Sequence, residues 1–359
     1  MPHNPLPPDS SSRGPSSFGS SGAASQSSCL ARVAFQGEPG AFSEAAAIQL
    51  LGSGIRTVPC PTFDAAFRAI PKGVADALLT PVENSLAGSV VRVFDLLLES
   101  NLEIVGETIL RIEHQLIGCP GATLGGLRSV ASHPVALAQC ERFFASHPEL
   151  KRLPAEDTAG SVREVLARGD RSAAGIAGRR AAEHYGGAIL AENIHDNPEN
   201  FTRFVLLVPA PKSSGNDAAD SVHVLSRAEG ALTIELQMRQ MMEAESSATL
   251  KMSLALRLAH KPGALLAALE PFARHGVNLL KIESRPIHGR PWEYQFFLDI
   301  ESGDGPASQP TPQDARNDGP NSALAVTTSH KLGKLEAAIA AVRSATSDLR
   351  ILGVYLPAR

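Results

Sequence analysis

The stretch Asn197-Pro198-Glu199-Asn200-Phe201-Thr202-Arg203-Phe204-Val205-Leu206-Leu207 moves from polar, turn-forming residues into an apolar run. That is the pattern of a strand entered from a loop. Thr202 and Arg203 stand where loop becomes strand. The reading therefore predicts a hydroxyl and a guanidinium held on rigid backbone at a sheet edge, where open α/β folds bind their ligands. Alone, the pair fits equally well a β-favouring Thr beside a solvated Arg.

The chain before this stretch alternates strand and helix. Arg32-Val33-Ala34-Phe35 reads as a strand, and the turn Gln36–Ser43, with Gly37 in it, delivers the chain into an Ala-rich helix, Glu44–Leu51. Free N–H groups at such a turn form a cradle suited to a carboxylate or phosphate. An amphipathic helix over Thr62–Lys72 and a strand over Ala75–Thr80 come next. Glu83, Asn84 and Ser85 fall just past that strand's end, ahead of a helix Val90–Glu99. Leu102–Leu116 is extended and carries His114; Ser132-His133-Pro134 opens a helix Val135–Ser146. Two more units follow, Arg152–Ala155 with Val162–Arg168 and Ala173–Ala177 with Arg179–Tyr185, and then a strand Ala188–Asn193. Repeated strand–helix units predict a doubly wound sheet with parallel pairing. So many units in residues 31–210 favour two small α/β lobes facing a cleft over a single sheet.

Residues 211–249 read as a linker, within which Leu232–Glu245 fits either helix or strand. Residues 250–357 then follow the order βαββαβ of a ferredoxin-like unit: strand Leu250–Leu258, helix Pro262–His275, strands Val277–Pro286 and Trp292–Glu301, helix Leu332–Thr346 and strand Asp348–Leu356. Residues 302–329, rich in Gly, Pro, Asn and Asp, read as a flexible insertion.

Composition narrows the function classes. The 359 residues carry a net charge of −4 with no basic run to hold nucleic acid, and no apolar stretch long enough to span a bilayer. Cys29, Cys60, Cys119 and Cys140 lie far apart without a Cys-x-x-Cys pair, so reduced thiols in a soluble cytoplasmic protein are expected rather than zinc or disulfides. Residues 1–30, rich in Ser, Pro and Gly, are expected to be a disordered tail.

Several spaced motifs carry a family resemblance. Asn200-Phe201-Thr202-Arg203-Phe204-Val205 resembles the signature of prephenate dehydratases. In the same order as in that family come Pro81-Val82-Glu83-Asn84-Ser85, His114-Gln115-Leu116, Ser132-His133-Pro134 and Asp157-Thr158. Further on, Lys261-Pro262-Gly263-Ala264-Leu265-Leu266 and Lys281-Ile282-Glu283-Ser284-Arg285-Pro286 resemble the two phenylalanine-sensing motifs of the ACT regulatory domain. The chain departs from the family at Val135, where Gln is common, and at Gly178, where Ser is usual.

The resemblance implies a two-lobed, periplasmic-binding-protein-like catalytic domain followed by an ACT domain. It implies conversion of prephenate to phenylpyruvate without cofactor or metal, and feedback inhibition by L-phenylalanine. Thr202 is then the donor to the leaving hydroxyl, and Glu83 the alternative donor should burial favour its neutral form. Arg203 and the Gly37–Ser43 turn are candidates for the substrate carboxylates, with Asn84, Ser85, Ser132 and Thr158 lining the site and His114 supporting it. Gly263, Ala264, Leu265, Leu266, Glu283, Ser284, Arg285 and Pro286 are the expected phenylalanine site, and a homodimer or homotetramer the expected assembly. Two other readings stay open: an arogenate dehydratase, and a non-catalytic amino-acid sensor.

Overall fold

The computed structural model describes residues 30–211, 229–244, 249–287, 289–302 and 320–358. The expected tail apart from Leu30, and much of the expected linker and insertion, lie outside them. The first lobe comprises β1 (Arg32–Gln36), α1 (Phe42–Leu51), β2 (Arg56–Cys60), α2 (Phe63–Ala69), β3 (Ala77–Asn84), β4 (Gly88–Ser89), α3 (Val91–Glu99) and β5 (Leu102–Arg111). The chain then crosses to a second lobe: β6 (Gln115–Gly118), β7 (Ser129–Ser132), α4 (Pro134–Ala138), α5 (Glu141–Ser146), β8 (Lys151–Pro154), α6 (Thr158–Arg168), β9 (Ala173–Ala177), α7 (Arg179–Tyr185) and β10 (Ala188–Ala191). It returns through residues 192–200 into β11 (Phe201–Pro209), the last strand of the first lobe.

Each lobe has its own sheet, β2-β1-β3-β11-β5 in the first and β8-β7-β9-β6-β10 in the second. Strands joined by helical crossovers pair in parallel, as expected. Two strands depart from this pattern: β11 is antiparallel to both β3 and β5 because it re-enters from the other lobe, and β6 is antiparallel to both β9 and β10 in the second lobe. β11 is apolar on both faces for a packing reason: Phe204, Leu206 and Val208 enter one core, with Ala46 and Ala47 of α1, while Val205 and Leu207 enter another, with Val93 and Leu97 of α3.

One expectation about helices is corrected and one open reading is decided. The helix expected over Val135–Ser146 breaks at Gln139 and Cys140, because the Asp196 carboxylate accepts the amides of Glu141 (2.8 Å) and Arg142 (2.9 Å) and so starts a new helix there. The segment that fits either helix or strand is helical over its described residues, forming α8 (Glu229–Ala244), which seats Ile234 and Met238 on the first lobe's core.

The C-terminal unit consists of β12 (Lys251–Arg257), α9 (Ala264–Arg274), β13 (Val277–Ile287), β14 (Arg290–Ser302), α10 (Pro320–Arg343) and β15 (Asp348–Tyr355). Its last helix thus begins at Pro320, inside the segment expected to be a flexible insertion. One face of the sheet β13-β14-β12-β15 carries Leu254, Leu298 and Ile300 against Phe272 of α9 and Leu335 and Ile339 of α10. The other face packs on the first lobe, with the Phe297 ring 4.9 Å from that of Phe94. β15 also lies parallel to β5 at Gly353 and Ile104, so the two sheets run on as one. Glycine is required there, since a Cβ on residue 353 would collide with the Ile104 carbonyl oxygen.

Candidate active site

The two crossings between lobes gather Thr202, Asn84, Asn200, Gln139 and His114 into one hydrogen-bonded chain. Its directions are set from one end. Asn84 Oδ1 accepts the backbone amides of Leu86 (3.0 Å) and Ala87 (2.8 Å). The amide nitrogen therefore faces the other way, donating to Thr202 Oγ1 (2.9 Å) and Asn200 Oδ1 (2.8 Å). Asn200 Nδ2 in turn donates to Gln139 Oε1 (2.9 Å). The same oxygen lies 2.9 Å from His114 Nε2. An amide oxygen can only accept, so His114 carries its proton on Nε2. At the other end Thr202, 9% exposed, receives a hydrogen bond on its oxygen and keeps its own proton free to donate.

His114 is buried, its ring centre 5.6 Å from that of Phe42 with the two planes 74° apart, and its Nδ1 is left without a partner. Desolvation lowers its pKa to about 4, so the imidazole is neutral at physiological pH. Phe42 begins α1, whose first amides have no intrahelical acceptor. Ser43, buried in the same turn, sits among them.

The lobes meet along this turn. Phe35 and Ala41 pack with Ala159, Ala177 and Ala181, which places Thr158, half-buried at the start of α6, at the boundary. The Glu44 carboxylate accepts from Arg180 across the boundary (2.8 Å), from Gly40 N (2.8 Å) and from Thr57 (2.8 Å). Burial works against its charge, but these donors outweigh it and hold the carboxyl below its usual range. Gly178 presses on Phe42, where a Cβ would meet the ring at 2.8 Å. The family's serine would need the ring to move.

Five expected site residues are engaged elsewhere. Arg203 points to the opposite face from Thr202, because side chains alternate along a strand. Its guanidinium bonds Glu107 (2.6 Å), Asp299 (2.5 Å) and Tyr355 (3.0 Å), so the expected carboxylate contact is corrected to an interdomain one. Burial opposes the Asp299 charge, yet Arg203 outweighs it and keeps that carboxyl below its usual range. Glu83 likewise faces away from Asn84 and Thr202 and pairs with Lys281 of the C-terminal unit at 2.9 Å, so its expected place beside the leaving hydroxyl is corrected to an interdomain contact. The Gly37 amide donates to Cys60 O (2.9 Å), leaving the cradle to the amides further along the turn. Ser132 Oγ donates to Ile176 O (2.6 Å) inside the second lobe. Ser85 Oγ donates to Glu199 O (2.8 Å) and accepts from Phe201 N (2.9 Å), clipping the returning loop to β3.

In the C-terminal unit, Gly263 takes the left-handed backbone that opens α9, with open space where a Cβ would stand. A recess of about 160 Å³ beside it is lined by His260, Lys261, Ala264, Leu265, Trp292 and Tyr294. Leu266 is exposed. Along β13, Ser284 and Pro286 pair with Phe296 and Tyr294 on the recess side of the sheet. Glu283 and Arg285 take the other side, where Glu283 accepts from Ser89 (2.7 Å) and Arg285 pairs with Asp95 (3.5 Å). Their expected place in the phenylalanine site is corrected accordingly.

Sequence reasoning missed Gln139, Asn200 and Phe42. Asn200 was within reach, as a polar residue adjoining the Thr202 motif, whereas Gln139 depends on the helix break capped from a distant loop.

The chain matches the sequence profile of the prephenate dehydratase family over residues 33–212, half of its length, and that of the ACT domain over 252–308. It is 36% identical over 280 residues to an arogenate dehydratase/prephenate dehydratase 2, chloroplastic, of Arabidopsis thaliana, covering 76% of this chain and 65% of that relative, so it spans slightly less than two thirds of the relative's length. Among solved structures it resembles GqqA, described as a novel type of quorum quenching acylase (31% identity, TM-score 0.68, covering 91% of this chain and 98% of that one). It also resembles the prephenate dehydratase of Arthrobacter aurescens in complex with L-Phe (27% identity, TM-score 0.67, covering 91% and 90%). With two α/β lobes and an ACT unit docked on the first of them, the chain belongs to the prephenate dehydratase family.

Proposed function

We propose that the chain is a carbon–oxygen lyase that converts prephenate to phenylpyruvate and is inhibited by L-phenylalanine. In that reaction the ring carboxylate leaves as carbon dioxide, and the electron pair of the broken C–C bond enters the ring. The C–O bond at the opposite ring carbon breaks, and the departing oxygen takes up a proton to leave as water. Aromatisation drives the step; the protein has to orient the two breaking bonds and stabilise charge on the leaving oxygen.

The observation that carries this reading is the orientation of Thr202. With its oxygen already accepting from Asn84, its proton is preorganised to donate into the cleft. Asn200, Gln139 and His114 hold Asn84 and the lobes in register. The α1 amides at Phe42 and Ser43, with Thr158 across the boundary, are the groups proposed to receive the substrate carboxylates. The recess at Gly263, with Leu265, Ser284 and Pro286, is the proposed phenylalanine site, and Leu266, exposed beside it, suits a second ACT unit in a homodimer or homotetramer. Buried, unpaired Cys60, Cys119 and Cys140 fit a reducing, cytoplasmic setting.

Incubation with prephenate, followed by the ultraviolet absorbance of phenylpyruvate, tests the reading. Accumulation of phenylpyruvate supports it, and none at high enzyme concentration refutes it. The same assay on arogenate, read as phenylalanine formation and compared through kcat/KM, decides which substrate is preferred.

A further inference from the structure

Strand alternation puts the proposed regulatory site and Thr202 on two sides of one set of contacts. On β3 and β11, Asn84 and Thr202 face the cleft while their chain neighbours Glu83 and Arg203, paired in register, face the ACT unit. On β13, Ser284 and Pro286 share a face of the sheet with their ladder partners Phe296 and Tyr294, which line the recess, while Lys281, Glu283 and Arg285 face the first lobe. Lys281 is the most connected of these. Its ammonium lies 2.9 Å from Glu83 Oε1, donates to Ser89 Oγ at 3.0 Å and sits 5.5 Å from the centre of the Phe94 ring. Ser89 in turn donates to Glu283. Since β4 pairs with β3 at Glu83–Ser89 and Asn84–Gly88, β13 grips both arms of the hairpin that presents Asn84 to Thr202.

We propose that the Lys281–Glu83 ion pair is the coupling contact through which an amino acid in the Gly263 recess repositions Asn84 and so switches off Thr202. The inference rests on the dehydratase reading above and adds the contact that transmits the regulation. A ligand against Ser284 and Pro286 shifts the strand whose other face holds Glu83. Asn84 follows because it is the next residue, and a small change in its amide removes the hydrogen bond that orients the Thr202 hydroxyl. Lys281 touches neither the cleft nor the recess lining, so its removal separates coupling from both binding and chemistry.

The test uses the full chain, with L-phenylalanine as ligand and two readouts. Trp292, the sole tryptophan, lines the recess and reports binding by fluorescence independently of turnover. Hydrogen exchange of the Ser85–Phe201 clip reports movement of the hairpin. Lys281→Met should bind phenylalanine and turn over prephenate within about threefold of wild type, yet lose at least about fivefold of the inhibition, the low end of typical coupling factors. The exchange change at Ser85 and Phe201 should vanish with it, and Lys281→Glu combined with Glu83→Lys should restore part of both. Inhibition of Lys281→Met as strong as in wild type would overturn the proposal, as would a wild-type clip unmoved by bound phenylalanine. A clip that moves in a Lys281-dependent way without any prephenate turnover would uphold the link and refute the dehydratase reading instead.

Discussion

Asn84 Nδ2 lies 2.9 Å from Thr202 Oγ1, and the backbone amides of Leu86 and Ala87 on Asn84 Oδ1 keep that amide from turning over. The direction of this bond decides what Thr202 can do. Asn84→Asp changes almost no volume but replaces the donor with an acceptor. The carboxylate would draw the threonine proton away from the cleft and repel an anionic substrate. A fall in kcat of roughly a hundredfold or more is expected, the scale of losing one preorganised donor, and steady-state kinetics on prephenate measure it. A variant with near wild-type kcat would show that the direction of the bond is irrelevant.

Arg203 is predicted to act through stability. Glu107, almost fully buried, accepts from Arg203 (2.6 Å), Lys251 (2.9 Å) and the Ala358 amide (2.9 Å), and Asp299 accepts from Arg203 and Ser253. Arg203→Met leaves two buried carboxylates short of a partner, at a cost of about 3–5 kcal/mol. The loss should appear as a lower denaturation midpoint, with KM for prephenate within about threefold of wild type because no ground-state binding contact is removed. A large rise in KM at unchanged stability would return Arg203 to the substrate.

How far the site was legible follows from these two residues. The Asn-Phe-Thr-Arg-Phe pattern located the strand, and its period of two already implied that Thr202 and Arg203 point opposite ways, as do Asn84 and Glu83. Assigning both members of each pair to the cleft overlooked that period. Gln139 was beyond such reasoning: it reaches the cleft because Asp196, far along the chain, starts a second helix at Glu141. The ferredoxin-like order was readable from alternation and helix period. The continuation of its sheet into the first lobe was not, since it depends on a bare backbone contact at Gly353.

That contact gives a third prediction. Gly353→Val would force a branched side chain against the Ile104 carbonyl. The strain of such overpacking, about 1–3 kcal/mol or more, should lower the melting temperature and part the ACT unit from the first lobe, seen as increased hydrogen exchange in β5 and β15. Unchanged melting and exchange would contradict a tight junction.

His114 sets a pH dependence whose sign can be stated. Its pKa falls from the ordinary 6.5 to about 4 through burial, so between these values the unfolded chain binds a proton that the folded chain does not. Stability from this group is therefore present above pH 6.5 and lost as the pH falls toward 4, by about 3 kcal/mol in all. His114→Asn should flatten the denaturation midpoint across that window relative to wild type. Parallel profiles for the two proteins would mean that His114 titrates normally.

The central claim, that the Thr202 hydroxyl assists departure of the ring oxygen, is tested most directly by the turnover of prephenate by Thr202→Val, which keeps the shape and β-branching and loses only the hydroxyl. With folding checked by melting, the account predicts a kcat at least about a hundredfold below wild type and substantial recovery in Thr202→Ser. A Thr202→Val enzyme that forms phenylpyruvate at the wild-type rate would contradict it.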